Sequence, residues 1–267
     1  SPQRRRGLRL RLGGAARDAA WAAGIFAPLT PPPMQLPLDL RSDDPVLTDD
    51  QGRRKLYVAV AGNIGAGKST LTKILAEYFG WNPFYESVDD NPYLSDFYAD
   101  MPRWSFNLQV YFLSSRFRHQ KDIERAPQSV VQDRSIYEDV EIFARNLHNM
   151  GLMDGRDYEN YAALFAIMTA YLQPPDLLVY LRASVPTLVR QIQSRGRDFE
   201  TGIRLDYLER LNGLYEDWIE RYPHPKLVIE TDSLDFVKEP EDRFQILSRI
   251  ESRLYGLFPE RSEPVEG

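Results

Sequence analysis

Apolar and polar positions change period repeatedly along this chain, and the changes divide it into short strands and longer helices. Residues 56–61 (LYVAVA) form a largely apolar, β-favouring run that reads as a strand. Leu71, Ile74 and Leu75 then recur at helical spacing. Asn82-Pro83 marks a break, and residues 84–86 read as a short strand. Residues 104–123 predict a long helix with aromatics and leucines on one side, and 129–132 another short strand. Helices are expected over 136–147 and 158–172, a buried-type strand over 176–181, and a helix over 185–195 that runs into a polar segment. A helix over 205–221, a strand over 227–230 and a helix over 241–257 complete the pattern. Alternating strands and helices predict an α/β fold with a parallel sheet covered on both faces. Right-handed crossovers would bring the strand C-termini to one edge, where open α/β sheets bind ligands.

Between the first strand and the first helix stands GNIGAGKST, residues 62–70. Gly62, Gly67, Lys68 and Ser69 satisfy G-x-x-x-x-G-K-[ST] in the strand–loop–helix context that a phosphate-binding loop requires. Glycines let the backbone wrap closely around phosphate so that successive N–H groups point inward. The helix N-terminus adds its positive end. Gly62, Asn63, Ile64, Gly65, Ala66, Gly67, Lys68, Ser69 and Thr70 are therefore the expected phosphate cradle. Lys68 is expected to reach the outer phosphates and the Ser69 hydroxyl to ligate Mg²⁺. The loop alone does not say which phosphate reaction follows.

Composition narrows the classes. The chain of 267 residues is long enough for one sizeable α/β domain, and its net charge of −6 gives no overall drive toward nucleic acid. With no cysteine, disulfides and thiolate metal sites are excluded, which fits a reducing compartment. His119, His148 and His224 show no metal-ligand spacing, and no apolar run approaches the roughly 20 residues of a membrane helix. The first 33 residues carry six arginines against the single acid Asp18 and end in three prolines. They read either as an extension ahead of a start at Met34 or, being arginine-rich and acid-poor, as a transit peptide that serine scarcity argues against. Residues 1–54 are expected to be a disordered or loosely attached extension, residues 55–258 the phosphate-loop domain and 259–267 a tail. The expected location is cytoplasmic, and mitochondrial only if residues 1–33 are a genuine transit peptide.

Three polar residues fall at predicted strand ends. Glu86, across from the phosphate loop, can accept a proton from a hydroxyl attacking a γ-phosphate. Arg134 can hold that carboxylate and the transferring phosphoryl group together. Asp133 can bind Mg²⁺ directly or through water. Any one of them alone would read as a surface ion pair; their convergence with a phosphate loop points to phosphoryl transfer.

Together these residues resemble the deoxynucleoside kinase family. The resemblance rests on GNIGAGKST (62–70), YES (85–87), RWSFNLQVYFLSSR (103–116), DRSIYED (133–139) and RGRDFETGI (195–203), and covers about residues 56–257. NPYL (91–94) is closer to the bacterial purine-directed members. The resemblance implies a three-layer P-loop kinase fold with a central parallel sheet of about five strands. It also implies ATP as donor, Mg²⁺, a deoxynucleoside acceptor and a homodimer built from the long helices, with no membrane or nucleic-acid partner.

Residue by residue, the resemblance implies that Glu86 is the general base for the sugar 5′-hydroxyl and Arg134 the arginine beside it. Tyr98 and Glu200 match the pair on the 3′-hydroxyl, Gln109 the amide that reads the base, and Phe143 the aromatic stacked on it, with Trp104 walling the pocket. Read without the resemblance, Phe143 and Trp104 are core aromatics of their helices. Arg116 and Asp139 match a charged pair that accompanies purine- or cytosine-directed members, whereas thymidine-directed members carry apolar residues there. A pocket that presents donors and acceptors rejects a base that leaves them unpaired. Phe112, between Gln109 and Arg116, is expected to narrow the site. Arg190, Arg195 and Arg197 resemble the lid over ATP. The family pattern R-I-x-x-R-x-R is departed from, because Gln191 precedes Ile192 and Arg190 stands one position earlier. Asp235 and Phe236 resemble the loop that contacts the donor adenine. Two other readings remain open at this point: a nucleoside-monophosphate kinase, which shares the loop and lid, and a non-catalytic accessory subunit of this fold.

Overall fold

The computed structural model describes Thr48 and residues 54–85, 91–196 and 203–256. The expected N-terminal extension, apart from Thr48 and Arg54, and the expected tail lie outside these residues, as do Glu86, Arg197 and Glu200.

Five strands form one parallel sheet in the order β2-β3-β1-β4-β5. They are β1 (Tyr57–Gly62), β2 (Asn82–Phe84), β3 (Val130–Asp133), β4 (Leu177–Arg182) and β5 (Lys226–Glu230). Val58, Val60, Val131, Leu177 and Val179 are buried in the core on one side of the sheet; Ala59, Ala61, Leu178 and Tyr180 are buried in the other. Two-sided burial explains why β1 and β4 read as continuous apolar runs without alternation.

The helices are α1 (Lys68–Phe79), α2 (Leu94–Ala99), α3 (Met101–Arg125), α4 (Arg145–Asn149), α5 (Gly155–Thr169), α6 (Val185–Arg195), α7 (Leu205–Arg221) and α8 (Pro240–Gly256). Helix α3 starts where Asp100 accepts a hydrogen bond from the Arg103 N–H and Pro102 occupies the first turn. It stops at Ala126, which is extended (ψ 134°) because Pro127 follows it. None of the described helices is long and apolar enough to cross a membrane.

Three expectations need correction. The strand placed at 84–86 is β2, over Asn82–Phe84, so the supposed break at Asn82-Pro83 lies inside it. Proline is tolerated there because β2 pairs only with β3 and occupies the sheet edge. The short helix α2 lies where no element was expected, held by Asn91, whose side-chain oxygen accepts from the Tyr93 N–H at 2.9 Å. Finally, the helix expected over 136–147 begins as a π-helical turn at Asp139–Ala144 and continues as α4. Such wide turns recur at functional sites, and this one carries both Asp139 and Phe143.

Candidate active site

The register of β1 and β3 sets Val60 beside Asp133. The loop that leaves β1 and the turn that leaves β3 are therefore neighbours at the C-terminal edge of the sheet. In the loop, Gly65 (φ 86°) and Gly67 (φ 92°) lie in the left-handed region. A Cβ on Gly65 would come within 2.9 Å of the Leu188 carbonyl oxygen and of Ile192, and one on Gly67 within 3.1 Å of the Phe236 ring. The loop is thus wedged between α6 and the residues after β5, and only glycine allows both approaches. Ala66 donates its N–H to the Asn63 carbonyl oxygen at 3.1 Å, and the buried Lys68 ammonium reaches the same carbonyl at 3.0 Å. Asn63 is buried and ties the loop to α7, donating to the Leu208 carbonyl oxygen (3.1 Å) and to Asn212 (2.7 Å).

Ser69 begins α1 beside Lys68, and its hydroxyl donates to Asp133 Oδ2 at 2.5 Å. Asp133 is 4% exposed and its other oxygen, Oδ1, is buried without a hydrogen-bond partner. A buried carboxylate oxygen without a donor is costly, and a cation would satisfy it. Among the described residues no group of three or more metal-ligating side chains forms a cage. One carboxylate and one hydroxyl beside a phosphate loop match the way Mg²⁺ is carried, held by few protein ligands and by substrate phosphates. Ser69 and Asp133 therefore fit the expected ion.

Arg134 follows directly. Its φ of 68° makes it the one non-glycine residue in the left-handed region among those described, and its N–H is held by the Val60 carbonyl oxygen at 2.9 Å. Such backbone strain costs about 1–3 kcal/mol and persists where surrounding structure fixes it. The guanidinium lies 4.4 Å over the Phe143 ring and donates to the Tyr215 hydroxyl at 2.9 Å. Phe143 thus supports Arg134, whatever else it stacks upon. Burial pushes the Tyr215 phenol well above its ordinary range, so it stays protonated. It can accept from Arg134 while donating to Glu138 at 2.7 Å.

The residues expected on the base side lie on α3 and the π-helical turn. Arg116 and Asp139 form an ion pair with side chains 6% and 1% exposed. Phe112 lies beneath Arg116, 5.2 Å from ring centroid to guanidinium carbon. Gln109 is 2% exposed, and its side-chain oxygen is buried without a hydrogen-bond partner. Tyr161 on α5 stands near the pair; burial first, and then the Asp139 charge, raise its phenol well above the ordinary value. Tyr98 and Trp104 are half-buried at the margin of the same core, with Arg103 4.5 Å over the Trp104 ring.

The lid and donor-loop candidates are placed differently from one another. Arg190 and Arg195 are exposed on α6, and Arg190 donates to Thr187 on its own helix at 3.2 Å. Phe236 is buried against Gly67, a support for the loop from behind, while Asp235 is exposed and accepts from the Lys238 N–H at 3.1 Å. Sequence reasoning missed Glu138, Asn212 and Tyr215. Glu138 stood inside a motif already singled out, but its contact partners are distant in the chain. Asn212 and Tyr215 follow Leu208 and Leu211 at a spacing of four, so they share a buried helical face; that was the only signal.

A parallel sheet with a phosphate loop after β1, and a serine–aspartate pair fitted to Mg²⁺, define a phosphoryl-transfer enzyme of the P-loop kinase fold. Comparison with known proteins makes this specific. The deoxynucleoside kinase family model matches residues 58–254, and the chain belongs to that family. It is 41% identical over 201 residues to a deoxyadenosine/deoxycytidine kinase of Bacillus subtilis, covering 74% of this chain and 93% of that protein. It is 42% identical over 219 residues to a deoxyguanosine kinase of Lactobacillus johnsonii, covering 78% and 97%. Among solved structures, deoxyadenosine kinase from M. mycoides with bound dATP superposes with a TM-score of 0.67 at 29% identity, covering 74% of this chain and all of that one. The monophosphate-kinase and accessory-subunit readings are set aside by this membership.

The buried ion pair yields a test of stability. Asp139→Leu alone should destabilise the fold by about 3–5 kcal/mol in urea unfolding, because it strands the Arg116 charge. Arg116→Met with Asp139→Leu should recover most of that loss. A double variant as unstable as the single one would contradict a pair whose main cost is the isolated charge.

Proposed function

We propose that the enzyme transfers the γ-phosphoryl group of ATP to the 5′-hydroxyl of a purine deoxynucleoside, deoxyadenosine or deoxyguanosine, with deoxycytidine a poorer acceptor. This is a salvage step that makes a deoxynucleoside 5′-monophosphate. The observation that carries the acceptor assignment is the buried, unpartnered Gln109 oxygen on the same helix as Arg116, which is paired with Asp139. An amide offers one donor and one acceptor to a nucleobase edge, and a charged pair opposes the apolar wall that a thymine methyl needs. The names of the relatives, which between them cover deoxyadenosine, deoxyguanosine and deoxycytidine, support the same range.

In this reading the phosphate loop and Lys68 hold the donor, and Ser69 and Asp133 would hold a Mg²⁺ ion, which would supply neutralisation of phosphate charge. Arg134 faces the transferring group and Glu86 takes the hydroxyl proton. Tyr98 and Glu200 hold the 3′-hydroxyl; Phe143 and Trp104 flank the base. Arg190, Arg195 and Arg197 close over the donor, excluding water that would otherwise accept the phosphoryl group, with Asp235 and Phe236 on the adenine side. Support for the homodimer comes from Leu164, Ile167 and Tyr171, exposed by 39, 69 and 84% on and just after α5, which packs on α3. Such a row of large apolar side chains suits a partner helix. Ile167→Glu should convert the dimer to monomer in sedimentation equilibrium; a wild-type monomer at micromolar concentration would refute the assembly.

Transfer from Mg-ATP to deoxyadenosine, deoxyguanosine, deoxycytidine and thymidine, ranked by kcat/KM, tests the substrate assignment. A purine is expected first and thymidine last; a thymidine preference would overturn the role given to Arg116 and Asp139. Glu86→Gln should lower kcat by about 10²-fold or more with a smaller change in binding, as for a removed general base. Unchanged turnover would take Glu86 out of that role.

A further inference from the structure

Glu138 has no part in the chemistry above, yet it is the most enclosed acid near the site, with no exposed surface. A carboxylate is kept in such a position only by satisfying its oxygens. Oε1 accepts from the Ser135 N–H at 2.8 Å and from the Ser135 hydroxyl at 3.2 Å. Oε2 accepts from the Tyr215 hydroxyl at 2.7 Å and, at the long distance of 3.4 Å, from the N–H of Gly62, the first residue of the phosphate loop. The Arg134 guanidinium stands 3.8 Å from the same oxygen and donates to the same Tyr215 hydroxyl. One carboxylate therefore touches the loop that carries the donor, the arginine beside the acceptor and, through Tyr215, helix α7. That helix also grips the loop by Asn212 and Asn63, and Asn212 donates in turn to the Ala183 carbonyl oxygen just after β4.

We infer that Glu138 and Tyr215 are positioning residues for phosphoryl transfer. They fix the Arg134 guanidinium against the start of the phosphate loop and make that alignment depend on the seating of α7. The inference rests on the kinase reading of this site. Coulomb attraction in a dry site holds the guanidinium to the acid. Tyr215 sets its direction because a protonated phenol, donating to Glu138, offers its lone pair to Arg134. Glu138→Gln keeps the shape but removes the charge, and Tyr215→Phe removes the relay while keeping the ring that stacks on Tyr180. Neither variant deletes a group assigned to substrate.

A misplaced catalytic group loses turnover more than affinity, so each variant should lower kcat by about 10- to 100-fold, with the KM for ATP and for the deoxynucleoside little changed. The decisive experiment is the double-mutant cycle with Arg134→Lys. If Glu138 acts through Arg134, Glu138→Gln should cost nearly nothing further in the Arg134→Lys enzyme. Tyr215→Phe carries the same cycle should Glu138→Gln fail to fold, which far-UV circular dichroism and Tm will show. Wild-type kcat in a folded Tyr215→Phe or Glu138→Gln enzyme would overturn the inference, as would an equal loss in both backgrounds or a loss confined to KM. Absence of transfer in the wild-type enzyme, by contrast, would refute the kinase reading itself and the inference with it.

Discussion

The parallel pairing of β1 with β3 is the constraint on which the rest depends. It aligns Val60 with Asp133, so a glycine loop and an acid–arginine turn leave the sheet side by side. The bond from the Arg134 N–H to the Val60 carbonyl oxygen continues that pairing one residue beyond the strand, into a left-handed backbone. From there the short segment 133–139 sends side chains in several directions. Asp133 turns to Ser69, Arg134 to Tyr215 and Phe143, Glu138 to the loop, and Asp139 to Arg116. The sides proposed for donor, acceptor and base are thereby referenced to one turn.

Buried charge is the second theme. Arg116–Asp139 and Arg134–Glu138 place four charged groups where almost no water reaches. Such pairs contribute little net stability compared with apolar packing, but each partner becomes expensive to strand. Under the proposed function, the first constrains which base edges the pocket tolerates. The second holds Arg134, whose proposed value to the reaction lies in its direction. In both cases the low dielectric makes the arrangement rigid, and geometry is what phosphoryl transfer chiefly demands of a protein.

Much of this was legible in the sequence because it is local. The phosphate loop announces itself by glycines and a lysine, and the helices at Val185–Arg195 and Leu205–Arg221 lie where their periodicity puts them. The two-sided strands read as apolar runs because both faces are covered. What was not legible depends on distant partners. Pro83 looked like a breaker because nothing local says that its strand is an edge. The π-helical turn at Asp139–Ala144 leaves an ordinary helical pattern in the sequence. Glu138 and Tyr215 are separated by 77 residues, and neither shows alone that it serves the other. Phe236, expected beside the donor adenine, lies buried against Gly67, a contact that the sequence does not show because one aromatic after a strand can suit a ligand or the core.

The central claim is that the loop after β1 and the pocket bounded by α3 and the turn after β3 form one continuous crevice for donor and acceptor. Inhibition by a bisubstrate ligand, adenosine joined to a purine deoxynucleoside through a polyphosphate bridge, tests it most directly. The account predicts competitive inhibition against both ATP and the deoxynucleoside. Competition against one substrate, with noncompetitive inhibition against the other, would contradict it.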